Sequence, residues 1–329
     1  MIVTEGQRVI VGRYQLTAQI GSGGVAVLWR GRDTLLDRQV AVKEIVRLDA
    51  GGVADAPEEI YQRTLTEARA SARIRHRGVA AVYDVISEAD RPYIVMELIE
   101  GRSLAQVIEE DGPLALALVA DIGRQVLAAL TAGHAAGVLH RDLNPANVLV
   151  TSCGRAVLTD FGIASVSGNP SMTQTGIVLG TPRYLAPERL RGQAATPAAD
   201  MWSLGATLYA ALAGRGPYDA YDDVAATLTA ITTQGPPGLL VDGPLPRVIR
   251  ALLDRDPLRR PGAPETALVL EEAAGGLIRS RPGEDQLFTM PIVMEPPLAA
   301  KSAPATEPSV AIEPAAPRAA GRWSGRTAV

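Results

Sequence analysis

One cysteine, Cys153, is all the sequence holds, so neither an intramolecular disulfide framework nor a multi-cysteine zinc site can form. Histidine is nearly as scarce, at three residues, which leaves a dedicated transition-metal cage short of ligands. Aromatics are also few: two Phe, three Trp and eight Tyr among 329 residues, so the core must be built from Leu, Val, Ile and Ala. Neither sign of charge prevails, with 32 Lys+Arg against 36 Asp+Glu and a net charge of −4. That balance carries no electrostatic footprint for nucleic acid. No unbroken apolar run reaches the roughly 18 residues of a membrane span. The opening MIVTEGQRVI places Glu5 and Arg8 where a signal peptide would be apolar. These absences lead us to expect a soluble chain in a reducing compartment.

What is present falls into three zones. The first alternates short β-like runs with turn residues. Tyr14–Ile20, Val25–Arg30 and Gln39–Val46 read as strands, the first two joined by the glycine turn Gly21–Gly24. Pro57 to Arg75 reads as a helix, with proline and two glutamates at its start and basic residues at its end. Val79–Val85 and Pro92–Leu98 read as two further strands, the second apolar enough to be central. From Ser103 the pattern turns helical: Ser103 with Gln106 resembles a capping box, and a long apolar helix fills Leu114 to Ala136. Short β-like pieces return at Val148–Val150 and Ala156–Thr159. Near residue 275 the composition shifts, and Pro291–Val329 is dominated by Pro and Ala without periodicity, the signature of a disordered tail.

Several motifs carry chemistry. GSGGVA at Gly21–Ala26 lies between two strands, where small residues let backbone N–H groups approach phosphates; it equally suits an ordinary hairpin turn. Ala26 stands where GxGxxG has its third glycine, and no helix follows, so a dinucleotide-binding βαβ unit is a poor fit. AVK at Ala41–Lys43 puts a lysine on the third strand, either as a solvated edge residue or as a cation for phosphates. Glu67, in the following helix, is its candidate carboxylate partner. Then come HRDLNPAN at His140–Asn147, DFG at Asp160–Gly162, GTPRYLAPE at Gly180–Glu188 and DMWSLG at Asp200–Gly205, in that order.

This ordered set resembles the protein kinases, specifically the eukaryotic-like (Hanks-type) Ser/Thr kinases of bacteria, over about four-fifths of the chain. The resemblance implies an α+β bilobal fold: a small antiparallel β lobe with a regulatory helix, over a larger mainly helical lobe. It implies a lead-in at 1–11, a kinase domain at 12–272 divided near 98/99, and a Pro/Ala-rich disordered tail at 273–329. It implies ATP and Mg2+ (or Mn2+) as nucleotide and metal, and protein Ser/Thr hydroxyls as acceptors. Asp142 would accept or orient the hydroxyl proton, and Asn147 and Asp160 would hold the metal. Lys43, fixed by Glu67, would position phosphates beneath Gly21, Ser22, Gly23 and Gly24. Ile20, Leu28, Ala41 and Leu149 match the walls of the adenine slot, Met96 the gatekeeper, and Glu97, Leu98 and Ile99 the hinge; plain core packing accounts for the apolar ones as well.

The same resemblance makes Glu188 and Arg260 a buried ion pair and Asp200 the anchor of the catalytic loop. His140 would stack beneath Phe161. Between DFG and APE, Ser167–Thr181 resembles an activation loop, with Thr173 and Thr175 as autophosphorylation sites, Ser171 as a lesser one, and Arg141 as the phosphate receiver. Pairing of two chains through the small lobe and a cytoplasmic location are further expectations. One departure stands out. Asn144 occupies the position where Ser/Thr kinases carry a lysine that meets the transferring phosphate. Arg183 is one cation that could substitute. The alternative reading is therefore a pseudokinase scaffold that binds ATP without efficient transfer; separately, the Pro-rich tail could add a role as a ligand for a partner domain.

Overall fold

The computed structural model describes residues 8–279 apart from 24–25, 47–56, 90, 163–181, 222 and 240. By internal contacts the chain divides into Met1–Phe288 and Thr289–Val329, and the second unit lies wholly outside the described residues.

Residues 8–97 build one antiparallel sheet. Its strands are β1 (Val9–Ile10), β2 (Tyr14–Ser22), β3 (Ala26–Asp33), β4 (Arg38–Ile45), β5 (Val82–Glu88) and β6 (Arg91–Glu97), in spatial order β1-β2-β3-β4-β6-β5. The apolar Pro92–Leu98 run thus forms an interior strand, buried from Pro92 through Met96. Strand alternation sorts two charged neighbours to opposite faces of β4. Glu44 is buried and takes bonds from Arg8, Arg91 and the Trp29 indole, so Lys43 is left facing the other way. On that inner face Ala41, Ile94 and Met96 pack with Leu28, Val82 and Leu98. The strand expected from Val79 begins three residues later: Val79 makes only an isolated parallel bridge to Leu158, and the ladder with β6 starts at Val82. Helix α1 (Pro57–Ser71) crosses beside β5 and β6.

Below, α2 (Leu104–Asp111) opens with a complete capping box between Ser103 and Gln106. A small second sheet pairs β7 (Arg102–Ser103), β8 (Val148–Val150) and β9 (Ala156–Leu158). The core of this lobe is α3 (Leu116–Ala135), packed on α5 (Pro197–Ala213) and α8 (Ala263–Arg279). By length and composition α3 could cross a bilayer, but Asp121 and Arg124 interrupt its apolar run and half of its most apolar window is buried within the lobe. It is the central helix of a folded lobe. Short α4 (Pro187–Leu190), α6 (Val224–Thr233) and α7 (Pro244–Leu252) complete the helices. The tail expected from 273 overlaps the end of α8, which runs on to Arg279: the composition shifts before the helix ends, and Leu270 and Ala274 still anchor the helix in the core.

Candidate active site

The site lies where the sheet's inner face meets the segments around β8 and β9. β2 ends at Ser22 after a register shift at Gln19/Gly21, and Gly23 N–H closes the turn onto the Ala26 carbonyl. A Cβ at Gly21 would make only ordinary contact with Leu28, and one at Gly23 would meet nothing within 4 Å. Neither glycine is required by packing or by a positive φ. What their bareness leaves open is space above the backbone, the shape a phosphate chain needs. Gly24 lies outside the described residues. Ala41 and Met96 are buried in the apolar inner-face cluster with half-buried Leu28, whereas Ile20 is 44% exposed. Leu149 is half-buried on β8. β6 ends at Glu97, so the peptide groups of Leu98 and Ile99 fall outside the ladder, where a base edge can pair with them.

Lys43 Nζ lies 2.7 Å from Asp160 Oδ1. The pairing of Lys43 with Glu67 expected from the motif is not among the ion pairs of the described residues; the Glu67 carboxylate sits 3.9 Å from the Arg141 guanidinium instead. Spacing in sequence says nothing of the angle at which a helix docks, which is what decides this pair. Around Glu67, α1 borders a cavity of about 490 Å³ lined also by Thr66, Ala70, Val138, Arg141 and Gly162. Both Arg141 and Asp160 hold positive φ, 70° and 59°, a conformation that costs of order 1–3 kcal/mol and persists only where surroundings enforce it.

For Arg141 the enforcing group is Asp200. Its carboxylate accepts from the backbone N–H of His140 and of Arg141, both at 2.9 Å, and from His134 Nε2 at 2.7 Å. Burial alone would push Asp200 up, but these bonds outweigh it and hold the carboxyl below its usual range. For Asp160 the support comes from Phe161. Its ring centroid lies 4.9 Å from that of His140, tilted by 57°, and its carbonyl accepts from the Ser71 hydroxyl at the end of α1. Burial pushes the His140 imidazole down, toward its neutral form.

Asp142 sits at the centre. Asn147 Nδ2 donates to its carbonyl (2.8 Å) and to Oδ2 (3.2 Å), while Asn144 Nδ2 donates to the same carbonyl (3.0 Å) and to Oδ1 (3.3 Å). Asn144 Oδ1 accepts from Ala146 N–H at 2.9 Å and so caps the turn Pro145–Asn147. Burial pushes the Asp142 carboxyl above its ordinary value, against His140 and the two amides, which pull it down. Arg183, the cation considered as a substitute for the lysine, is paired with Asp219 at 2.9 Å. Glu188 and Arg260 make a bidentate bond at 2.6 and 2.7 Å with both side chains buried, and the guanidinium lies over Trp202. Thr173, Thr175 and Ser171 lie outside the described residues.

A metal fits this donor set. No group of three or more His, Cys, Asp or Glu gathers among the described residues, as an all-protein cage would require. The Asp160 carboxylate and the Asn147 amide oxygen are hard donors of the kind Mg2+ takes one or two of, completing its shell with phosphate and water. Sequence reasoning did not single out Ser71, His134 or Asp219. Ser71 lies four residues after Glu67 on one helical face, and His134 six before His140, which is the signal each offered.

A bilobal fold with this loop, strand lysine and paired anchors is the architecture of a phosphotransferase of the protein kinase class. The sequence matches the family described as protein kinase domain over residues 14–268, and the chain belongs to that family. It is 41% identical to the serine/threonine-protein kinase PknL of Mycobacterium tuberculosis over 206 residues, 63% of this chain and 50% of PknL. It is 35% identical to PknA of the same species, also a serine/threonine-protein kinase, over 322 residues, 94% of this chain and 70% of PknA. The matched stretch thus spans about half the length of PknL.

Proposed function

We propose that this chain transfers the γ-phosphoryl group of Mg-ATP to Ser and Thr hydroxyls of proteins. The observation that carries the reading is a pair of contacts: Lys43 on Asp160, and Asp142 held by the amides of both Asn144 and Asn147. In it Asp142 accepts the hydroxyl proton as the oxygen attacks phosphorus and the bond to the departing ADP oxygen breaks. Lys43 neutralises phosphate charge, and Asn147 with Asp160 holds the metal. Bound Mg2+ supplies charge neutralisation across the phosphates and fixes their orientation. Similarity to PknL and PknA supports Ser/Thr acceptors.

Regulation through Thr173 and Thr175 is part of the proposal: a phosphate there finds Arg141 at the cavity beside α1. Pairing through the small lobe is supported by Leu35 and Leu36, 73% and 57% exposed on the turn between β3 and β4. The pseudokinase reading draws on Asn144, whose neutral amide stands in a position the family gives to a cation, with Arg183 engaged elsewhere.

The test is intact mass after incubation with Mg-ATP. We expect gains in steps of one phosphate, mapped to Thr173 or Thr175 and absent in Asp142→Asn. No gain, with ATP binding retained, would favour the scaffold.

A further inference from the structure

α3 is rich in Ala, Leu and Val, yet near its end it carries Gly133, where alanine would hold a helix better. No positive φ demands the glycine. Space does. A Cβ at 133 would lie 2.2 Å from Cζ and 2.4 Å from Cε1 of Phe161. Ordinary contact begins near 3.4 Å, so the ring would have to move by more than about 1 Å. It has little room to do so: Phe161 is 2% exposed, His140 flanks the ring, and Ser71 holds the carbonyl. Asp160, the preceding residue, has a positive φ and lies beside Lys43. The other interior glycine of α3 is unlike it: at Gly123 a Cβ would meet the aliphatic ends of Leu208 and Leu270 at 3.0–3.2 Å.

We propose that Gly133 is a positioning residue. The bare Cα of α3 is the seat of the Phe161 ring, and through the ring it fixes the Asp160 carboxylate where it meets Lys43 and holds the metal. This rests on the reading of Asp160 as a metal ligand.

The test is calorimetry of ATP binding to the full chain, with and without Mg2+. In Gly133→Ala the Mg2+-dependent gain in ATP affinity should fall by about tenfold or more, as a displacement of this size implies, while Mg2+-free affinity stays at the parent's. Adding Phe161→Leu, a shorter side chain, should recover most of that gain. Gly123→Ala should lower the melting temperature and leave the gain intact. If Gly133→Ala does not fold, recovery of fold and Mg2+ response in the double variant supports the seat, and failure of both variants overturns it. An unchanged Mg2+ response in Gly133→Ala, an equal loss without Mg2+, or no recovery with Phe161→Leu also overturns it. A parent without any Mg2+ response removes the role of Asp160 and the proposal together. A parent that responds to Mg2+ but gains no phosphate overturns the kinase reading alone, and the seat is still decided by the variants.

Discussion

Asn144 is the residue at which removal and replacement should act in opposite directions on activity and in the same direction on stability. Its side chain makes three bonds, two to Asp142 and one to Ala146 N–H, and the residue is 5% exposed. In Asn144→Ala the lost cap costs about 0.5–2 kcal/mol. The lost donor to a partly solvated carboxylate, through a 3.3 Å bond, adds an amount near the lower end of the ~1.5–3 kcal/mol typical of charged partners. A fall in melting temperature of roughly 4–14 °C follows for a domain of this size. The removed donor favoured the ionised form of Asp142, so its pKa, already raised by burial, rises further. The carboxylate is the active form. The ascending limb of rate against pH therefore moves to higher pH, and the loss is larger at pH 6 than at pH 8. Asn144→Lys also loses the cap and should melt lower, yet its cation pulls the limb to lower pH and should raise transfer by about 10²–10³. Scanning fluorimetry and initial rates of phosphate gain across pH check all of this. Unchanged limbs in both variants, or a lysine variant that is more stable and no faster, would refute the reasoning.

Three further outcomes follow from buried charge. Arg260→Met leaves Glu188 buried without its cation, and removal of one partner of such a pair costs about 3–5 kcal/mol, so the melting temperature should fall by roughly 6–20 °C. Asp142→Asn should slow transfer sharply yet melt higher than the parent at neutral pH: a carboxyl raised by burial adds stability only when protonated, and that contribution is lost as pH rises through its folded pKa. Asp33 is the reverse case. Arg13 holds its carboxyl down at about 2, so its stabilisation is present above the ordinary carboxylate pKa and lost as pH falls toward 2. Acid unfolding of Arg13→Met should show less pH dependence in that window than the parent.

The order of the motifs made the fold legible, and local patterns gave most elements, because strand alternation and the capping box are properties of neighbours in sequence. What stayed hidden depends on how separate elements dock. The spacing of Lys43 and Glu67 left open the angle of α1, and in the structure Lys43 meets Asp160. Asn144 read as a missing charge, whereas its amide grips the base and caps the turn after it. Arg183 read as an available cation until Asp219, 36 residues on, proved to be beside it. Gly133 drew no reading from the sequence, since nothing near it announces an aromatic ring 28 residues later.

The most direct measurement compares phosphoryl transfer by the parent and by Asp142→Asn, after calorimetry has shown that the two bind Mg-ATP equally. Loss of a positioned general base predicts a rate lower by roughly 10²–10⁴ in the variant. Equal rates would mean that the proton is not taken at Asp142, and the account of this site would be wrong.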